Sequence, residues 1–372
     1  MRILYITEAR LERLDGTTTH IRGLVSGLEA AGAEILLVAR SGNKKTEIIV
    51  PEITRGFLPT LRSQKALLTF LEELIRRYRP AIVLGRVEYQ SLAAPVLSRR
   101  FHLPLVADLN GDLAFQMEGR PARQRLLCHF VERRFLEASS RILVTAPAVA
   151  ELVGHRLNLP HHRFLVLPMG VEESFLDRIP DRAFARRRLG FPPDKPIALY
   201  LGTLTPWQGF EALFALSKHL PNWLFLVVGG GPLEKDYRRS APSDRFRFQG
   251  FVRPEELPIF LSAADVLLQP PRHPRHCGMP TKIVEYLAAG TPIVASDRHQ
   301  TEQDLAKRGF LYCADFSRPE SVAAIMLRIL ENPAIRLETR NRNPHYVRQH
   351  LTWRILGTKL LRELSSILES DS

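Results

Sequence analysis

Short runs of β-branched and aliphatic residues alternate with amphipathic helical stretches along the whole chain, which confines it to a parallel α/β architecture. Ile3–Ile6, Ile35–Val38, Ile82–Leu84, Leu105–Ala107, Ile142–Val144 and Phe164–Leu167 read as strands buried on both faces. Thr19–Ala31 and Ala66–Tyr78 keep helical spacing between them. In the second, Leu67, Leu68, Leu71, Leu74 and Ile75 share one face, with Glu72, Glu73, Arg76 and Arg77 largely opposite. The pattern pauses over Pro168–Pro196, rich in proline and charge, which reads as a linker. It resumes with strands at Ile197–Leu201, Leu224–Val228, Phe246–Phe248, Val266–Leu268 and Ile293–Ala295. Helices are predicted at Gly209–Lys218, Pro254–Ser262, Pro280–Ala289, Val322–Glu331 and Trp353–Leu368.

A chain of 372 residues carrying this pattern twice predicts two Rossmann-like, doubly wound parallel-sheet domains, with ligands in a cleft beyond the carboxyl ends of the strands. The three cysteines, Cys128, Cys277 and Cys313, are widely spaced, which argues against a structural zinc or a disulfide framework. Met1–Thr7 is too short an apolar run for a secretory signal, and no stretch approaches the length of a membrane span, so a cytoplasmic chain is expected. The net charge of +13 favours anionic partners, whether a nucleotide diphosphate, a phosphorylated acceptor or an acidic membrane surface, unless it serves solubility alone. Basic residues gather at Arg76–Arg79 and from Arg120 to Arg134 without the exposed aromatics of a nucleic-acid interface, so nucleic acid is not expected.

Four loops carry the candidate chemistry. Asp15–Thr19 precedes a helix starting near His20, and reads either as an anion site built from backbone N–H groups or as a plain N-cap. Gly229-Gly230-Gly231 follows a strand, but Glu234 stands where a dinucleotide fingerprint needs its third glycine. In Gly202–Gly209, Thr203, Thr205 and Gln208 offer hydrogen bonds without charge. In the block Gly278–Val294, Lys282 and Glu285 share a helix face. They are either a surface ion pair or, the reading favoured by a helix N-terminus facing the cleft, a phosphate contact and a contact to sugar hydroxyls.

The block Gly278–Val294, the loop Gly202–Gly209, the turn Val228–Pro232 and the strand end Phe248–Val252 resemble, in order and spacing, the C-terminal half of family-4 glycosyltransferases. The Gly16 loop, the turn around Gly32 and Leu167–Glu172 resemble the N-terminal half more loosely. The resemblance implies the GT-B fold: an acceptor-side domain over 1–168, with the helix 353–372 packing back on it, and a nucleotide-sugar-binding domain over 169–352. It implies a retaining hexosyl or glycosyl transfer from a nucleotide-diphosphate sugar to a glycan or lipid-linked acceptor, in polysaccharide or glycolipid assembly. No cofactor and no catalytic metal are implied. Glu285 would bond the ribose hydroxyls; Gly278, Met279, Pro280 and Thr281 would lie beside the donor sugar and diphosphate. Phe251 and Val252 would flank the base, Gly16 and Thr17 would close over the phosphates, and Gly230, Thr203 and Gln208 would line the donor site.

The sequence also departs from the family. Thr203 and Gln208 stand where an arginine and a lysine usually clamp the diphosphate, Cys277 replaces the first glutamate of the usual pair, and Met169 the crossover asparagine. Lys282 is then expected to be the principal phosphate contact and a catalytic residue, with Asn110 in the place of the family's active-site histidine. Arg272, His273, Arg275 and His276 are upstream candidates for a further cation; Asp108 and Asp112 are expected to bind acceptor or cap a helix. Two competing readings follow from the departures: a catalytically weak scaffold protein of this fold, and a nucleotide-sugar epimerase. The helix Ala66–Tyr78 and the arginines suggest peripheral contact with an anionic inner membrane face, against a reading in which that helix faces the core.

Overall fold

Branched aliphatic runs of four to six residues bury both faces when laid side by side in parallel, and the chain does this twice. The computed structural model describes residues 1–13, 15–41, 47–49, 61–88 and 92–370. The first set of strands is β1 (Arg2–Ile6), β2 (Glu34–Ala39), β3 (Glu47–Ile49), β4 (Ile82–Arg86), β5 (Leu105–Leu109), β6 (Arg141–Val144) and β7 (Phe164–Val166). The second is β8 (Ile197–Leu201), β9 (Leu224–Val228), β10 (Phe246–Gly250), β11 (Val266–Gln269), β12 (Ile293–Ser296) and β13 (Tyr312–Ala314). The orders are β3-β2-β1-β4-β5-β6-β7 and β10-β9-β8-β11-β12-β13. Each sheet reverses its winding at one point, between β1 and β4 in the first and between β8 and β11 in the second. These are the positions where an open α/β sheet leaves a crevice at its carboxyl edge.

The chain divides into two compact units, Met1–Gly170 with Trp353–Ser372, and Val171–Thr352. In the first, the helix Trp353–Ser370 packs along the helix Gly16–Ala30. Glycine permits it: a Cβ at Gly23 would enter the Trp353 indole, and one at Gly27 would strike the Trp353 carbonyl. Gly357 answers from the other helix, where a Cβ would meet the Gly27 backbone. Trp353 is buried and meets His20 edge-on, with ring centroids 5.8 Å apart. In the helix Leu61–Tyr78 the side chains of Leu67, Leu71 and Ile75 are buried, so its apolar face turns to the core rather than outward.

In the second unit Val171 pairs with Thr352, so the unit's first and last residues lie side by side. Its core carries an aromatic cluster in which Phe210 stacks on Tyr237 and Phe225 on Phe246. The expected linker is instead part of this unit. Residues Glu173–Asp177 and Arg182–Leu189 are helical, and Arg186 is buried. Its guanidinium bonds Asp265 at 2.6 Å and the carbonyls of Ala263, Pro193 and Lys195, so this charge is consumed internally while Arg187 and Arg188 stay exposed.

Two strands, β3 and β13, fall outside the sequence-predicted set; three residues are too few to show a period. Five helices begin three or more residues from where the spacing predicts; those expected from Ala66 and Val322 start earlier, at Leu61 and Pro319. Asp15 accepts from Thr18 N at 2.9 Å and starts its helix at Gly16, not near His20. Gly209 takes a left-handed conformation (φ 62°) after the turn Pro206–Gln208, which delays that helix to Ala212. Leu257 begins the helix expected from Pro254.

Candidate active site

The crevice of the second unit is built from glycine contacts. A Cβ at Gly229 (φ 115°) would strike the Gly202 carbonyl, and one at Gly209 the Pro271 carbonyl. Leu204 N donates to Gly230 O at 3.0 Å and His273 N to Trp207 O at 2.9 Å. The loop Gly202–Gly209 is thereby held against both the turn after β9 and the loop after β11. These glycines bring backbone to backbone. Gly230 has a further neighbour: a Cβ there would lie 2.8 Å from the Phe251 ring. Phe251 covers it and is otherwise 61% exposed, with Val252 half-buried next to it.

The helix Thr281–Ala289 starts at Pro280 without a capping side chain; Ile283 N donates to Pro280 O at 3.1 Å, and the N–H groups of Thr281 and Lys282 ahead of it have no acceptor within the helix. Tyr286 fixes this helix at the winding reversal. Its buried hydroxyl accepts from Leu201 N (2.8 Å) at the end of β8 and donates to Leu268 O (3.3 Å) near the end of β11. One turn earlier, Lys282 is buried with Nζ 4.5 Å from the Tyr200 ring centroid and 3.3 Å from Gln208 Oε1. A Cβ on Gly202 would come within 2.7 Å of that nitrogen. Burial, then the nearby Arg272 charge, push the Lys282 amine down to about 7, while Glu285 and Glu302 pull the other way. Burial pushes the half-buried Glu285 carboxyl up to about 7, against the opposing pull of Lys282. A lysine and a glutamate of one helix face therefore both titrate near neutrality, because neither is solvated enough to hold its charge freely.

Arg272, expected as a possible cation for this site, is committed elsewhere. Its buried guanidinium bonds Glu302 at 2.7 Å and the carbonyls of His276 and Gly278, so it shapes the loop that leads to Met279 and Pro280. His276 is also removed as a cation: burial, then Arg272 and Lys282, lower its imidazole to about 3. Thr203 is exposed, and Gly278, Met279, Pro280 and Thr281 are half-buried. The structure thus groups Lys282, Gln208 and Glu285 with the helix N-terminus, and links Gly230 and Phe251 to them through the Gly202 and Gly229 backbones.

Gly16, Thr17 and Asn110 belong to the other unit. Gly16 is exposed, Thr17 half-buried, and both lie in the first turn of their helix. Asn110 follows β5 with its Oδ1 buried and unpartnered. Just before it, Asp108 is 1% exposed and receives Tyr5 Oη at 2.6 Å, Arg86 Nη1 at 2.9 Å and His20 Nε2 at 3.0 Å. Burial raises its carboxyl, but His20, Arg86 and these hydrogen bonds prevail and hold it well below the usual carboxylate range. Asp108 is therefore closed off from an acceptor, and Asp112 caps the helix Leu113–Gln116 through Ala114 N at 3.1 Å. Sequence spacing missed Tyr5, His20, Arg86, Tyr200 and Tyr286. For Tyr5, Arg86 and Tyr200 the usable signal was a polar or aromatic residue near the carboxyl end of an otherwise aliphatic strand; His20 and Tyr286 lie on helices and carry no such signal.

Comparison with known proteins follows the same division. Residues 181–350 match the family described as glycosyl transferases group 1, and residues 14–175 match glycosyltransferase family 4. The chain is 26% identical over 319 residues to 2-deoxystreptamine N-acetyl-D-glucosaminyltransferase of Streptomyces fradiae, covering 77% of this chain and 75% of that one. It is 23% identical over 368 residues to alpha-monoglucosyldiacylglycerol synthase of Acholeplasma laidlawii, covering 90% and 89%. Among solved structures, the fold matches sucrose-phosphate synthase from Thermosynechococcus elongatus with a TM-score of 0.77, 19% identity and all of both chains covered. It matches Anabaena HepE in complex with UDP-glucose with a TM-score of 0.74, 16% identity and 98% and 100% covered. Among the described residues no helix is long and apolar enough to cross a membrane.

Proposed function

The chain belongs to the family-4 glycosyltransferases, and we propose that its Val171–Thr352 unit takes the diphosphate of a nucleotide-sugar donor against Lys282 and the N-terminus of the helix Thr281–Ala289. The observation that carries this reading is the state of Lys282: a buried amine with one long hydrogen bond, depressed to about 7, over an aromatic ring. An arriving phosphate oxygen supplies the opposite charge that the amine lacks and draws a proton onto it. Leaving-group departure then develops negative charge where a cation and open N–H groups already stand, and such preorganisation is worth several kcal/mol. Lys282 does the work of the Arg/Lys clamp displaced by Thr203 and Gln208, with Gln208 Oε1 orienting the amine.

Glu285, raised to about 7, holds the ribose hydroxyls as acceptor or donor. Gly278, Met279, Pro280 and Thr281 lie along the sugar and diphosphate, and Phe251 with Val252 takes the base. The transfer proceeds with retention and without a bound metal, to a glycan or lipid-linked acceptor. Support for the donor comes from the HepE complex with UDP-glucose, and for a lipid acceptor from the diacylglycerol in the name of the Acholeplasma laidlawii relative.

Titration calorimetry with UDP-glucose, in buffers of different ionisation enthalpy at pH 7.5, tests the central step. Net proton uptake is expected on binding, and Lys282→Met should abolish the uptake and weaken affinity by roughly a hundredfold. Unchanged affinity in that variant removes Lys282 from the donor site. Anomeric assignment of the product by NMR decides retention, and an unchanged rate in chelator is expected. Binding with no turnover in the presence of acceptor extracts points to the scaffold reading instead.

A further inference from the structure

The helix Ala122–Ala138 breaks the usual order of an amphipathic surface helix. Its inner face is satisfied: Cys128, Val131, Phe135 and Leu136 are buried, and the buried Glu132 receives both terminal nitrogens of Arg156 at 2.8 Å. Its outer face nevertheless carries a second apolar group. Leu126 is 71% exposed, Phe130 51% and Leu127 37%. Leu126 and Phe130 lie one turn apart, with Leu127 on the turn between them, so the three form one patch. Exposed large apolar residues scattered singly need no explanation, but a contiguous group on one turn does.

The rim of that patch is basic. Arg123 and Arg125 are exposed on the preceding turn, and Arg133 and Arg134 on the following one. Arg134 leans over the Phe130 ring, 5.4 Å from its centroid. Glu137 offsets part of this charge by accepting from Arg133 at 2.7 Å; it is the one exposed acidic residue of the helix. A second copy of this chain would set arginine rim against arginine rim. A neutral partner would leave the rim unused. Aromatic and leucine side chains inside a ring of arginines match an anionic lipid surface, where the guanidinium groups meet headgroup phosphates and the apolar tips reach the acyl boundary.

We propose that the helix Ala122–Ala138 is a lipid-docking element, which lays Leu126, Leu127 and Phe130 into the surface of an anionic bilayer with Arg123, Arg125, Arg133 and Arg134 on the phosphates. The assignment goes beyond the donor reading and does not depend on it. It also moves membrane contact away from Leu61–Tyr78, whose Leu67, Leu71 and Ile75 are buried in the core.

Co-sedimentation with vesicles of phosphatidylglycerol and phosphatidylcholine, against phosphatidylcholine alone, tests it on the full chain. Binding is expected only to the anionic vesicles and should fall steeply between 50 and 300 mM salt, roughly with the screening of exposed charges. Leu126→Ser with Phe130→Ser, and separately Arg123→Gln with Arg125→Gln, should each weaken binding by on the order of tenfold. Both variants change exposed residues, so unchanged thermal unfolding and unchanged affinity for UDP-glucose are the controls. No binding by the unaltered chain, or binding by either variant equal to that of the unaltered chain, overturns the proposal. Self-association in sedimentation velocity that disappears in the Leu126/Phe130 variant, without vesicle binding, overturns it in favour of a second copy.

Discussion

The two winding reversals of this chain hold charged groups in opposite conditions. Beside the first, Asp108 near the end of β5 is buried but receives three donors, from Tyr5, His20 and Arg86, and is held well below the usual carboxylate range. Between β8 and β11, Lys282 is buried with one 3.3 Å hydrogen bond and a ring face, and is depressed to about 7. The same topology produces both places, so the difference lies in side chains alone. A buried charge that is fully partnered has nothing to offer a ligand, whereas one that is under-partnered gains most when a ligand arrives. Asp108 is satisfied by its own neighbours; Lys282 is left for something else to complete.

The largest effect should come from removing the satisfied one. Asp108→Ala leaves Arg86 and His20 facing each other without their common acceptor, which costs about 3–5 kcal/mol in a buried site. Urea unfolding at pH 7 measures it. The depressed folded value of Asp108 means that its stabilisation is present above the ordinary aspartate range and is lost as pH falls through the folded value. The difference between Asp108→Ala and the unaltered chain should therefore be full at pH 6 and narrow toward pH 2. A cost below about 1 kcal/mol at pH 7 would show that the network is not the self-contained element described.

Much of this architecture can be read from the residues. Aliphatic runs such as Ile197–Leu201 and Val266–Gln269 announce buried parallel strands, since no other element needs apolar side chains on both faces. Lys282 and Glu285 stand out because a helix opening after the strand-ending loop Gly278-Met279-Pro280 aims its N-terminus along the strand ends. Partnership is what cannot be read. Nothing in the spacing tells that Arg186 pins the segment once read as a linker, or that Arg272 is spent on Glu302 and two carbonyls. Tyr286 reads as one more apolar residue of its helix, yet its hydroxyl ties β8 to β11. These are long-range pairings, up to 85 residues apart, and local pattern carries no information about them.

A second effect, opposite in sign, belongs to the under-partnered one. Lys282 with a lowered folded value disfavours the fold below about 7, and that penalty is relieved as pH rises toward the lysine range. Glu285, raised, contributes stability that is full below the ordinary glutamate range and is lost as pH rises through about 7. Together they place a minimum near pH 7 in the ligand-free protein. Lys282→Met removes the buried amine and should stabilise the ligand-free fold by about 1–3 kcal/mol at pH 6–7 while losing the donor. Thermal unfolding across pH 5–9, with and without UDP-glucose, separates the two consequences. A destabilised variant at pH 6 would mean that Lys282 is already satisfied.

The smallest change in stability, and the sharpest test of the comparison, comes from making the second crevice resemble the first. Gln208→Glu places a carboxylate where Oε1 now meets Lys282 Nζ. The pair should lift the amine well above 7, because an opposite charge within hydrogen-bond reach favours the charged form. Net stability at pH 7 should shift by about 1 kcal/mol or less, since the new attraction offsets the desolvation of a second charge. Donor binding is where the change should appear. An amine already neutralised by the protein draws no proton on binding, and its carboxylate partner repels the diphosphate. Proton uptake should vanish and affinity fall by at least tenfold, although the lysine is now more fully charged than before. Should affinity instead rise, charge at Lys282 alone would govern donor capture, and its lack of a partner would be incidental.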